Sequence, residues 1–253
     1  MEGRCRWKCS CAYDGTDYNG WQSQVGGNTI QDFIEGRLRE IFNTSIRIHG
    51  ASRTDAGVHA KEQVFHFDAF WPHGANKLLR ALRCGFPRTI QIRRVQRVAQ
   101  SFHARFSAIG KCYIYRLYLG QADPFSHRYC WSLGSATFDT VAMAVAADFF
   151  RGTYSFRAFA KKRGDEIEET FVRTVRRSEL RQCGRKITYI TEGEGYLYKM
   201  VRHMVGTLVD IGRGTRDPKD LTTALYSGTG NFQAAPAAGL TLMRVLYAGA
   251  GGA

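Results

Sequence analysis

The chain has 253 residues, 44% of them hydrophobic, enough for one large domain or two small ones with buried cores. Its 36 Lys and Arg against 22 Asp and Glu give a net charge of +14 and a pI near 9.7, spread along the sequence and not gathered into a tail. That pattern fits a folded surface for a polyanion better than a disordered basic arm, with an unspecific solvated surface as the plainer alternative.

Met1 to Tyr13 carries Glu2, Arg4, Arg6 and Lys8 and lacks the apolar core of a signal peptide. The longest apolar candidate, Val141–Phe150, is too short for a membrane span and contains Asp148. An intracellular, cytoplasmic protein is expected.

Arg6–Tyr13 reads as a strand, closed by the turn residues Asp14-Gly15-Thr16. A helix follows from Ile30 to Phe42. Thr29 is its N-cap, Asp32 completes a capping box, and Ile30, Phe33, Ile34, Leu38, Ile41 and Phe42 form its apolar face. Ile46–His49 is a short strand and Glu62–Asp68 a longer alternating one. Ala75–Arg83 is a helix and Ile90–Val98 a strand.

The second half repeats these ingredients. Lys111–Leu119 places Tyr113, Tyr115, Leu117 and Leu119 on one face of a strand, and Phe138–Phe150 is a helix. The charged stretch Lys161–Thr170 is expected to be a solvent-facing loop. Phe171–Arg181 and Lys186–Glu192 are strands joined through Gln182-Cys183-Gly184. Tyr198–Ile211 is a helix with Met200, Val201, Met204, Val205 and Leu208 as its buried stripe. Asp217-Pro218 starts a last helix as N-cap and first-turn proline, and Leu240–Tyr247 is a final strand. The expected organisation is an N-terminal α+β subdomain (1–105), a C-terminal one (106–247), and a frayed tail (248–253).

The seven cysteines, Cys5, Cys9, Cys11, Cys84, Cys112, Cys130 and Cys183, are odd in number and scattered, as reduced intracellular thiols are. Cys9 and Cys11 lie two apart in a strand and have no second ligand pair at zinc-like spacing. His59, His103 and His203 likewise fit no metal site. No metal and no cofactor is expected.

Arg53-Thr54-Asp55-Ala56-Gly57-Val58-His59-Ala60 lies between two strands. Asp with Gly two residues later is a turn signal, and a hairpin-capping turn is the plain structural reading. The wider set is more specific. Asp14-Gly15-Thr16 is followed by Tyr18, Gly20, Trp21 and Gln22; then come Arg53–Ala60, Phe102-His103-Ala104-Arg105-Phe106-Ser107, Tyr113 and Tyr115, Met200-Val201-Arg202, Val205-Gly206 and Gly239-Leu240. Together, in this order and over nearly the whole chain, they closely resemble the TruA-type tRNA pseudouridine synthases.

The resemblance implies an α+β fold of two subdomains, whose mostly antiparallel sheets join into a central sheet with the active-site cleft between them. It implies a homodimer in which one tRNA touches both subunits, and the anticodon stem-loop as target. Asp55 matches the catalytic aspartate, Arg53 the arginine that fills the space left by the flipped base, and Tyr113 the tyrosine stacked on the target uracil. Arg202 matches the basic partner of the aspartate, and Leu240 falls in the segment that closes the pocket. His59 and Arg105 lie in its motifs as further substrate-binding residues. Ser52 and Cys112 depart from the family pattern, where glycine and a basic residue are common. Trp21 and Gln22 are expected to support the active-site loop. A catalytically silent RNA-binding protein of the same fold, and a synthase for a different RNA, are the competing readings.

Overall fold

The structure is a computed structural model that describes residues 3–161 and 170–249. Most of the expected Lys161–Thr170 loop and the end of the tail lie outside these residues. In chain order the elements are β1 (Cys5–Tyr13), α1 (Ile30–Phe42), β2 (His49–Gly50), β3 (His59–Ala69), α2 (Gly74–Arg83), β4 (Ile90–Val98) and β5 (Ala108–Tyr118). They continue with β6 (Trp131–Ser132), α3 (Thr140–Asp148), β7 (Gly152–Ser155), β8 (Val172–Cys183), β9 (Lys186–Gly193), α4 (Met200–Gly212), α5 (Pro218–Ser227) and β10 (Leu240–Tyr247). The chain divides into two compact units, 1–109 with 242–253, and 110–241.

In the first unit the strands run in the order β4-β1-β3-β10, with β2 added to β3. β1 pairs antiparallel with both β3 and β4. Its alternating Trp7, Cys9, Cys11 and Tyr13 are all buried, so the i, i+2 cysteines point into a core. Burial pushes both thiols well up, which keeps them protonated and makes them packing groups. α1 begins at Thr29 with the expected capping box and ends at Asn43 in the left-handed region. Ile30, Ile34 and Leu38 are buried, whereas Phe33 stands at the edge of that face, 39% exposed and edge-on to Tyr18.

β3 differs from the alternating strand expected. Gln63 through Phe67 are buried without interruption, because both faces of β3 are covered. Phe65 and Phe67 meet Trp21 and Phe42. His66, on the opposite face, lies under the turn 102–107, its Nδ1 accepting from the Ala104 N–H at 3.1 Å. The short strand before the Asp55 loop is β2, which begins three residues and ends one residue later than the expected Ile46–His49.

The second unit orders its strands β5-β9-β8-β7, neighbours pairing antiparallel, while the two-residue β6 runs parallel to β5. β8 and β9 are joined by the two-residue turn Gly184-Arg185, tighter than the three-residue turn expected, with Gly184 at φ +56°. α4 is wrapped beyond its expected stripe: Gly206, Thr207, Val209, Ile211 and Gly212 are buried too. Each apolar side chain so buried contributes about 1.5–3 kcal/mol over an exposed one. Gly212 lies against Met143 of α3, where a Cβ would collide with the thioether. β6 and β7 escaped the periodicity reading because two and four residues are too few for a repeat to show.

The buried His66 imidazole is pushed down to about 4, first by burial and then by His103, Arg6 and His49. It is therefore neutral when folded and titrates near 6.5 when unfolded. Between those values the unfolded chain binds the extra proton, so this group's contribution is present above about pH 6.5 and is lost as pH falls through about 4. In paired urea titrations, His66→Asn should lose less stability than wild type between pH 7 and pH 4, the difference being on the order of 2 kcal/mol. A wild-type-minus-variant difference that does not change with pH would refute it.

Candidate active site

The sequence between β2 and β3 folds as a loop at a hairpin tip. Val58 N–H donates to the Asp55 carbonyl at 3.1 Å, closing a turn whose third residue, Gly57, has φ +77°. That backbone conformation favours glycine. Asp55 is half-buried and Arg53 exposed, so the turn presents both at its rim while Thr54, Val58 and His59 face inward.

A second loop, residues 14–21, holds this turn from behind. Trp21 N–H donates to the Thr54 carbonyl at 3.0 Å, and Gly57 N–H to the Tyr18 carbonyl at 3.4 Å. The Tyr13 hydroxyl shares a 2.8 Å hydrogen bond with Thr54 Oγ1. His59 is 4% exposed and its Nδ1 accepts from the Gly15 N–H at 3.1 Å. The glycines of this loop have a steric purpose. A Cβ on Gly15 would strike the Val58 carbonyl, and one on Gly20 would strike the backbone from Thr54 to Ala56. Trp21 is buried with its indole pressed on Gly50, in line with the supporting role expected of it. Gln22 instead donates to Gln31 of α1.

Gln63 is a loop-holding residue that the sequence reading missed. It has no exposed surface, and its side-chain amide donates to the Ser52 carbonyl at 2.6 Å and accepts from the Ser52 N–H at 3.2 Å. The available signal was a polar amide at a core position of a strand, which needs partners when buried.

In the second unit, Tyr113 on β5 is 6% exposed and meets Tyr196 edge-on at 5.2 Å. The Tyr196 hydroxyl shares a hydrogen bond with Thr191 Oγ1, and burial pushes its pKa well up. Arg202 on α4 is half-buried. Its Nε donates to the Ala235 carbonyl at 2.7 Å, while the Ala235 N–H donates to the Arg202 carbonyl. One residue on, His203 Nδ1 contacts the Phe232 carbonyl at 2.8 Å. Gly206 lets the backbone at Gln233 lie directly on the helix, where any Cβ would collide with its carbonyl. The Tyr115 hydroxyl donates to the Pro236 carbonyl at 2.7 Å, and its ring covers Gly239, immediately before the buried Leu240. The α4 motif and Tyr115 thus fasten the segment 232–240. Its role was also not visible in the sequence, because the bonds are to backbone carbonyls.

Arg53, Asp55 and His59 therefore share one loop, whereas Arg105 is exposed on the separate turn 102–107. Among the described residues, no three His, Cys, Asp or Glu are grouped to hold a metal ion, and no helix is long and apolar enough to cross a membrane.

The sequence profile described as tRNA pseudouridine synthase matches residues 10–107 and 146–248. A tRNA pseudouridine synthase A from Akkermansia muciniphila is 42% identical over 96% of this chain and 95% of its own. Proteins of the same name from Geobacillus kaustophilus and Solidesulfovibrio magneticus are 39% and 38% identical, over 96% and 97% of this chain and 94% and 92% of theirs. Among solved structures, the archaeal box H/ACA sRNP Nop10–Cbf5 complex aligns with 93% of this chain and 47% of its own at 15% identity and a TM-score of 0.36, a likeness that bears on neither site nor substrate. With its motif loop, its α+β architecture and near-full-length relatives, the chain belongs to the tRNA pseudouridine synthase family, a family of isomerases.

Proposed function

We propose that the chain isomerises uridine to pseudouridine in the anticodon stem-loop of tRNA, with Asp55 as the catalytic carboxylate. The observation that carries this reading is the interlocked loop that holds Asp55 half-buried at its rim. The reaction breaks the N1–C1′ bond of uridine, joins C1′ to C5 of the same uracil, and exchanges a proton from C5 for one on N1. No electron or group is gained or lost, so this chemistry calls for no cofactor. A carboxylate serves as nucleophile or as counter-charge at C1′ and helps move the C5 proton.

In this reading Arg202 is the permanently charged basic partner of Asp55. Arg53, exposed beside Asp55, enters the space vacated by the flipped base, a nucleotide that must leave its stack to be reached. Tyr113 stacks on the uracil, Leu240 closes the pocket, and Arg105 contacts RNA elsewhere. His59 acts from behind the loop. The relatives' names, their bacterial sources and the seven free thiols support a cytoplasmic enzyme acting on tRNA. A homodimer is part of the reading by family resemblance.

Asp55→Asn removes the charge at nearly constant shape. It should abolish pseudouridine formation in unmodified tRNA transcripts while leaving tRNA affinity within about two-fold of wild type, because phosphate contacts dominate binding. Near-wild-type turnover by the variant would remove Asp55 from the mechanism. Binding by wild type with no pseudouridine mapped would favour a silent RNA-binding protein.

Tyr113→Ala should lower the catalytic rate at least ten-fold with little loss of affinity, since stacking on a base is worth about 1–3 kcal/mol. Tyr113→Phe keeps the ring. Retained activity in Phe assigns the ring to stacking, and a Phe variant as inactive as Ala assigns the hydroxyl to proton movement. Normal turnover in Tyr113→Ala would return the residue to the plain role of a core aromatic against Tyr196.

A further inference from the structure

The turn 102–107 is fastened at its base and bare at its tip. Arg6 donates to the Gln100 and Phe102 carbonyls while paired with Asp68. Ala104 has no exposed surface; its N–H goes to His66 and its carbonyl accepts from Tyr247 at 2.7 Å. His103 Nδ1 accepts from the N–H groups of Arg105 and Phe106, and the His103 backbone N–H donates to Ser107 Oγ. Burial and the neighbouring His49, Arg6 and Arg105 hold His103 below its ordinary value, which keeps that nitrogen free to accept.

On this rigid base, Phe106 is 75% exposed. Leaving such a ring in water forgoes the stabilisation of burying it. The ring is the outer member of an aromatic series. His66 and His103 lie 4.6 Å apart, His103 and Phe106 4.3 Å apart and tilted by 33°, and His49 stacks on His66 at 5.0 Å. The Arg105 guanidinium sits 5.6 Å from the Phe106 ring. The surrounding sequence has one sign of charge. Between Asp68 and Asp123 there is no acidic residue, and on the face of the sheet that carries His66 the strand register sets Lys8 and the exposed Arg94 nearby, the Lys8 ammonium 5.1 Å from the ring of Phe102 in the same turn. A cationic surface with an exposed aromatic fits single-stranded nucleic acid, where the backbone follows the cations and a base lies on the ring.

We propose that Phe106 and Arg105 form a second RNA-binding subsite, on which an unpaired base of the substrate tRNA stacks and whose adjoining phosphate Arg105 contacts. It is remote from the Asp55 turn at the tip of the loop. His66, which holds the turn, is seven residues along β3 from His59, about 23 Å at the rise of a strand. The subsite therefore reads the RNA away from the uridine that reacts. The inference rests on the tRNA-modifying function proposed above.

Equilibrium titration of an unmodified tRNA transcript, with wild type, Phe106→Ala, Phe106→Leu and Phe106→Trp, tests it. Ala and Leu should each weaken binding roughly ten-fold, and Trp should stay within about two-fold of wild type. The slope of log Kd against log salt should be unchanged in all three and fall by about one in Arg105→Ala. Leu or Ala binding as tightly as wild type would overturn the subsite. So would sedimentation showing that Phe106→Ala breaks self-association while tRNA affinity stays intact, which would make the ring a protein contact. Wild type that binds tRNA but forms no pseudouridine defeats the catalytic reading and leaves this one to be judged by the Phe106 series. Wild type that does not bind tRNA defeats both.

Discussion

The loop that carries Asp55 depends on the close approach of two backbones. Residues 14–21 and 51–58 meet with no side chain between them at Gly15 and Gly20, and the turn around Asp55 takes its shape from that contact. Backbone hydrogen bonds from Trp21 and Gly57, the Tyr13 hydroxyl on Thr54 and the Gln63 amide on Ser52 then leave the loop few other conformations. Each bond contributes only about 0.5–1.5 kcal/mol net. Together they settle where the Asp55 carboxylate points, a placement of the kind that the proposed chemistry requires.

The second unit uses the same device. Gly206 and Gly239 remove side chains where a backbone segment must lie on α4 and beneath the Tyr115 ring. The bonds from Arg202, His203 and Tyr115 all end on main-chain carbonyls of residues 232–236. A side chain that holds a backbone is insensitive to what the held residues are. The sequence of 232–236 therefore carries little trace of its own importance, although the residues that grip it stand out as motif positions.

Electrostatics divides the labour. The net charge of +14 draws a polyanion without regard to sequence, and salt weakens that attraction. A carboxylate is poorly suited to such a surface unless it has work to do, because it repels the phosphates that its neighbours attract. Neutral groups supply the finer fitting. His103 in the 102–107 turn and His66 of β3 beneath it are both held below their ordinary values, so their ring nitrogens accept backbone N–H groups inside a basic unit.

Periodicity and caps were legible in the chain itself: α1 with its Thr29 box, the Asp217-Pro218 start of α5, and β1 with its inward cysteines need only neighbours a few residues apart. The Arg53–Ala60 run, with its company of motifs, was enough to place the chain in its family. Tertiary structure alone decided the rest. Gln63 as the anchor of Ser52, the burial of β3 on both faces, the fastening of residues 232–240 and the bare ring of Phe106 on an anchored turn all join residues far apart in sequence. Sequence pattern reports which face of an element avoids water, because that repeats locally. It cannot report which distant backbone arrives at that face, because that depends on how every other element packs.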